Sequence, residues 1–103
     1  LQWHGAEIKQ MPSGATCLAT SPDCPVEAMA WGPRAYSTQF HLEVEPDTVE
    51  NWMGISTYKA SLIDALGETG PEKLSAACAT NVNDFNRLAE RFYINWLQTA
   101  ART

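Results

Sequence analysis

The apolar positions of this chain follow two rhythms, which change over near residue 45. Before that point, short runs rich in apolar and β-forming residues occupy positions 15–20, 26–31 and 35–40, separated by Ser21-Pro22-Asp23-Cys24-Pro25 and by Gly32-Pro33. Runs of this length bounded by Pro, Gly and Asp read as strands. The spacers are too short to hold a crossover helix, so neighbouring strands are expected to pair antiparallel as a meander. Residues 2–5 read as the end of a further strand, and Met11-Pro12-Ser13-Gly14 as a turn.

After residue 45, spacing by three and four takes over. Pro46 suits a first helical turn; Val49, Trp52 and Met53 follow on one face, and Gly54 is expected to end that helix. Ser56 is the expected cap of a second helix, with Tyr58, Leu62, Ile63 and Leu66 as its apolar stripe and Gly67 as its stop. A short helix is expected from Pro71. Residues 80–83 form helix poorly and separate it from a last helix capped by Asn83 or Asp84. In that helix Phe85, Leu88, Ala89, Phe92, Trp96 and Leu97 recur at helical intervals, a face expected to pack on the sheet, with a docking surface for a partner as the alternative. Trp3, Trp31, Trp52 and Trp96 are expected to serve packing. Pattern alone gives an α+β domain, a meander followed by helices.

With 103 residues, 45% of them hydrophobic, the chain can form one small domain. Twelve acidic against seven basic side chains leave a net charge of −5, which argues against nucleic acid or an anionic membrane surface as partner. No apolar run exceeds four residues, as in Ala28-Met29-Ala30-Trp31, where a bilayer span needs roughly 20. Nor does the sequence open on a basic-then-apolar leader, so a soluble, cytoplasmic domain is expected. Cys17, Cys24 and Cys78 cannot all pair within the chain and are expected to be reduced. Cys17 and Cys24 stand seven apart with no second Cys or His pair at finger-like distance, so spacing marks no metal site. The acidic residues Glu43, Glu45, Asp47 and Glu50 fit the acid bias of a helix start better than a cation site. Leu1 stands where an intact translation product carries Met, and we expect the chain to be part of a longer one.

Two histidines narrow the search for chemistry. In Gln39-Phe40-His41-Leu42-Glu43 an imidazole and a carboxylate stand two residues apart. In a strand running through both they project to one face, so Glu43 would hold one ring nitrogen of His41 and leave the other free to take a proton from a nucleophile. The same spacing also suits a purely structural hydrogen-bonded pair, and spacing does not choose between them. His4 stands before Gly5, where the main chain is open to close approach by a ligand. It equally suits a histidine satisfying a neighbouring backbone group.

Gln39-Phe40-His41-Leu42-Glu43 resembles the Q-F-H-P-E signature of class I glutamine amidotransferases. Gln2-Trp3-His4-Gly5-Ala6-Glu7 resembles the W-H-G-D segment upstream of it in members similar to the amidotransferase domain of GMP synthetase. Residues 18–28 look like the strand, turn and strand between the two. The resemblance implies an α/β fold, a flavodoxin-like mixed sheet flanked by helices, of which residues 1–103 form the carboxy-terminal part, the later strands and closing helices. It also implies glutamine amide hydrolysis by a Cys-His-Glu triad, with His41 as base and Glu43 as its orienting partner. His4, Gly5 and Ala6 would then lie at the substrate. The nucleophile and oxyanion hole belong to the amino-terminal half, outside this chain, because Cys17, Cys24 and Cys78 lack the G-x-C-x-G elbow. The chain alone is therefore expected to be inactive. Its expected partners are L-glutamine or a γ-glutamyl compound, the other half of the domain and a synthase; no cofactor or metal is called for. Leu42 replaces the signature's proline, and Ala6 replaces the acid of W-H-G-D. A γ-glutamyl hydrolase of the same fold and a catalytically silent regulatory or assembly module are the alternatives.

Overall fold

The structure, a computed structural model, describes residues 1–101. Three strands, β1 (Ala15–Ser21), β2 (Cys24–Trp31) and β3 (Ala35–Thr38), precede three helices, α1 (Thr48–Met53), α2 (Ser56–Leu66) and α3 (Gly70–Ala100). The strands form one antiparallel sheet in the order β1-β2-β3. This is an α/β chain whose sheet is the expected meander. Ala15 pairs with Trp31 and Ser21 with Cys24 across the first hairpin, while Ala28 pairs with Thr38 and Trp31 with Ala35 across the second. Irregularities at residues 17–21 of β1 break the simple register there. Trp31 donates its indole N–H to the Ser13 carbonyl at 3.2 Å, fastening the turn before β1 to the end of β2.

The chain divides into two compact units. The first contains Leu1–His41 together with the end of α3 from Glu90, and the second contains Leu42–Ala89. In the first, Cys24, Glu27 and Ala28 are buried, all on β2, which is the central strand and so has neighbours on both edges. In the second, Val44, Val49, Leu62 and Cys78 are buried, the first in the loop before α1 and the others one in each helix.

Several expectations need correction. Residues 2–5 form no strand; just before them, the Leu1 carbonyl accepts the His41 N–H at 2.7 Å and the Leu1 nitrogen donates to the His41 carbonyl at 2.9 Å. The third strand stops at Thr38, so His41 and Glu43 lie in irregular backbone beyond it. Helix α1 starts at Thr48, after Pro46. Its start is tied by a reciprocal pair: the Glu45 N–H donates to Thr48 Oγ1 at 2.7 Å and the Thr48 N–H to the Glu45 carbonyl at 3.1 Å. Ser56 is the first residue of α2 and not its cap; that place falls to Ile55. Gly67 does end α2, with φ at +85°, a conformation L side chains rarely adopt. At Gly70 a Cβ would lie 2.6 Å from Leu66 Cβ, so the close approach of α2's end to α3's start requires glycine.

The largest departure is α3, one helix of 31 residues where a break was expected at 80–83. Thr80 Oγ1 donates to the Ala76 carbonyl at 3.0 Å and Asn81 Nδ2 to the Ala77 carbonyl at 2.8 Å. These residues form helix poorly because their side chains compete for backbone groups. Here each is satisfied one turn back, on carbonyls the helix offers anyway. The expected burial of the stripe is also absent: Leu88, Phe92 and Leu97 are each 43% exposed and Trp96 39%. Within the first unit, the Trp96 indole N–H donates to the Arg34 carbonyl at 3.1 Å. Trp31, 53% exposed, is likewise no core residue. Among the described residues, no helix is long and apolar enough to cross a membrane.

Candidate functional site

His4 and His41 lie in two segments of the first unit that backbone hydrogen bonds join, whereas Glu43 belongs to the second unit. Beyond β3 the chain is fastened to the sheet once more, by the Gln39 N–H donating to the Glu27 carbonyl at 2.7 Å, and then to Leu1 through both backbone groups of His41. His41 is half-buried, and its backbone position is fixed from both sides. Glu43 is exposed; its Oε2 accepts the Leu42 N–H at 3.0 Å, which orients the carboxylate along its own segment.

The segment after Leu1 is held by side chains. His4 Nδ1 meets the Ala6 carbonyl at 2.9 Å, and His4 Nε2 meets Gln2 Oε1 at 2.8 Å. Gln2 reaches further: its Nε2 donates to Glu27 Oε2 in a short hydrogen bond. Glu27 Oε1 stands 3.7 Å from His4 Nε2. This oxygen is buried and has no hydrogen-bond partner of its own. Cys24, buried at the start of β2, completes a group in which one donor atom from each of His4, Cys24 and Glu27 lies within 4.8 Å of the others. Burial pushes the Cys24 thiol above its ordinary range, and the neighbouring Glu27 carboxyl, which favours the protonated thiol, pushes it the same way. Gly5 and Ala6 are exposed, and a Cβ at Gly5 would meet nothing within 4 Å, so the main chain beside His4 is open to approach.

The structural reading of His4, a ring satisfying a nearby backbone carbonyl, thus holds, but it covers half of the ring. The other half belongs to a partly buried polar cluster that spacing along the chain did not reveal. Gln2, Cys24 and Glu27 come together only because the turn at residues 22–23 and the pairing of Leu1 with His41 fold distant segments onto one another. One signal was present: Glu27 interrupts the apolar run of β2, and a carboxyl on a central strand calls for a partner. Cys24 packs as a small buried residue. Cys17 is exposed on β1 and Cys78 is buried in α3.

A stretch of 42 residues, 40% of the chain, is 50% identical to the glutamine-hydrolyzing GMP synthase of Pseudomonas aeruginosa (strain LESB58) and amounts to 8% of that protein. A longer match of 78 residues, 74% of the chain, is 33% identical to the glutamine-hydrolyzing GMP synthase of Bordetella avium and covers 14% of it. The enzyme of the same name from Dehalococcoides mccartyi is 46% identical over 41 residues. The chain is therefore similar to a glutamine amidotransferase-like region, over a small fraction of the length of these relatives. No family model matches the chain. No solved structure matches it.

Proposed function

We propose that this chain is the base-bearing, carboxy-terminal part of a class I glutamine amidotransferase domain of flavodoxin-like fold, and that it works in glutamine amide hydrolysis. The observation that carries this reading is Gln39-Phe40-His41-Leu42-Glu43 in a chain partly similar to glutamine-hydrolyzing GMP synthases. In the proposed reaction a cysteine outside the chain loses its thiol proton to His41 and attacks the side-chain amide carbon of glutamine. The tetrahedral intermediate collapses to a thioester as His41 returns the proton to the departing ammonia. Water then attacks the thioester, giving its proton to His41, and glutamate leaves as the thiol is reprotonated. Glu43 is the positioning residue, holding the imidazole in one orientation and offsetting the charge it gains. His4, Gly5 and Ala6 line the substrate's approach, where the open main chain at Gly5 suits contact with the amino-acid end of glutamine. The ammonia released passes to a synthase acceptor reaction. A soluble, cytoplasmic protein fits this role.

The test is ammonia release from glutamine by the full-length protein that carries this chain. Replacement of His41 by Ala is expected to lower kcat by about 10²- to 10⁴-fold, the usual contribution of a general base. Glu43→Gln should lower kcat with little change in KM. Undiminished turnover in His41→Ala would overturn the proposal. Glutamate release from γ-glutamyl peptides in preference to glutamine would favour the related hydrolase instead.

A further inference from the structure

A buried carboxylate oxygen without a partner is costly, since its desolvation is offset by nothing. Glu27 Oε1 is such an oxygen, on a residue only 4% exposed, and it faces the imidazole of His4. A third donor, Cys24, closes the group, all donor atoms lying within 4.8 Å of one another. Ligand atoms around a tetrahedral zinc ion, at bond lengths of 2.0 to 2.3 Å, are separated by about 3.3 to 3.8 Å. The 3.7 Å between His4 Nε2 and Glu27 Oε1 already falls in that interval.

We propose that His4 Nε2, Cys24 Sγ and Glu27 form a three-ligand site for a borderline divalent cation of the zinc class, separate from His41 and Glu43. The donor set decides the class of ion. Imidazole and thiolate suit zinc, whereas calcium and magnesium take oxygen ligands. The outer contacts also suit a metal-binding histidine: the Ala6 carbonyl lies 2.9 Å from His4 Nδ1, where it can accept that nitrogen's proton once an ion replaces the Gln2 contact at Nε2. Gln2 now spans the position of the ion, its amide bonded to His4 on one side and to Glu27 on the other. Gln2 is exposed, so it can swing out into solvent as the ion enters. On binding, the Cys24 S–H bond breaks, its proton goes to solvent, and the sulfur electron pair forms the bond to the metal. One carboxylate and one thiolate then balance the two charges of the ion, so the buried site becomes neutral. The fourth position, toward the open side at Gly5, is left for water or a ligand.

The test is titration of the purified, metal-free full-length protein with Co2+ and then Zn2+. The expected result is one Co2+ bound per chain, with thiolate-to-cobalt absorption in the near ultraviolet, release of about one proton and displacement by Zn2+. Cys24→Ser should abolish the thiolate absorption, Glu27→Gln should weaken binding about tenfold or more, and Cys17→Ser should change neither. Gln2→Ala, which removes the side chain spanning the site, should bind as tightly as the parent or more tightly. Should Cys24→Ser fail to fold, the near-isosteric Glu27→Gln and the exposed Gln2→Ala decide the matter alone. Absence of thiolate absorption in the parent protein, its survival in Cys24→Ser, or equal affinity in Glu27→Gln would overturn the site. None of these readouts involves amide hydrolysis, so failure here leaves the activity of His41 untouched, and the reverse holds as well.

Discussion

The two histidines sit in segments joined through Leu1 yet fixed by opposite means. His4 is held by its ring: both nitrogens meet oxygen acceptors, and the residues around it, Gln2, Cys24 and Glu27, form a partly buried polar cluster. His41 is held by its main chain, through two hydrogen bonds to Leu1. A ring locked in a network is suited to binding and orientation. A residue anchored through its backbone has its Cα placed, the first thing a general base requires.

The comparison is broken most directly by kinetics, where the two segments should respond unequally. His41→Ala should cost the full-length protein about 10²- to 10⁴-fold in kcat, whereas His4→Ala should act mainly on KM; equal effects on kcat would erase the distinction. Next in size come stability effects. Leu62→Ala, in the small core of the second unit, should lower unfolding free energy by about 2 kcal/mol or more in denaturant melts. Phe92→Asp on the exposed stripe of α3 should stay within about 0.5 kcal/mol, as for other surface changes. A loss for Phe92→Asp as large as for Leu62→Ala would mean that the stripe is covered in solution.

A smaller effect concerns pH. The folded protein holds the Cys24 proton more tightly than the unfolded chain does, because burial and the Glu27 carboxyl raise its pKa. The metal-free protein therefore keeps this contribution in full below the ordinary thiol value, about 8.5. Stability is lost as pH rises through that value toward the raised one. Cys24→Ala should flatten the alkaline fall in melting temperature, and an unchanged profile would contradict the assignment. Smallest of all, iodoacetamide at neutral pH should label Cys17 well before Cys24 and Cys78, following exposure. Equal rates would show that β2 opens readily.

Much of the meander was legible because turns speak locally: Pro22-Asp23 and Gly32-Pro33 stop the strands within a residue or two of where the runs of apolar residues end. Helix α2 was legible for the same reason at Gly67. The continuity of α3 was not, because the propensity of Thr80, Asn81 and Asn83 argues for a break. The deciding contacts, Thr80 and Asn81 to carbonyls one turn back, exist only once the helix has formed. At the site, His4 and His41 announce themselves as the chain's two histidines. The cluster of Gln2, Cys24 and Glu27 is a product of tertiary folding, with sequence separations of up to 25 residues, and only the carboxyl of Glu27 within an apolar strand hinted at it.

The central claim is that His41 serves a cysteine lying outside this chain. The most direct measurement is peptide mapping by mass spectrometry after the full-length protein reacts with a diazoketone analogue of glutamine, which alkylates an activated thiolate in a glutamine site. The account predicts one adduct on a cysteine other than Cys17, Cys24 and Cys78, lost in His41→Ala. An adduct on one of those three, or labelling that is indifferent to His41, would contradict it.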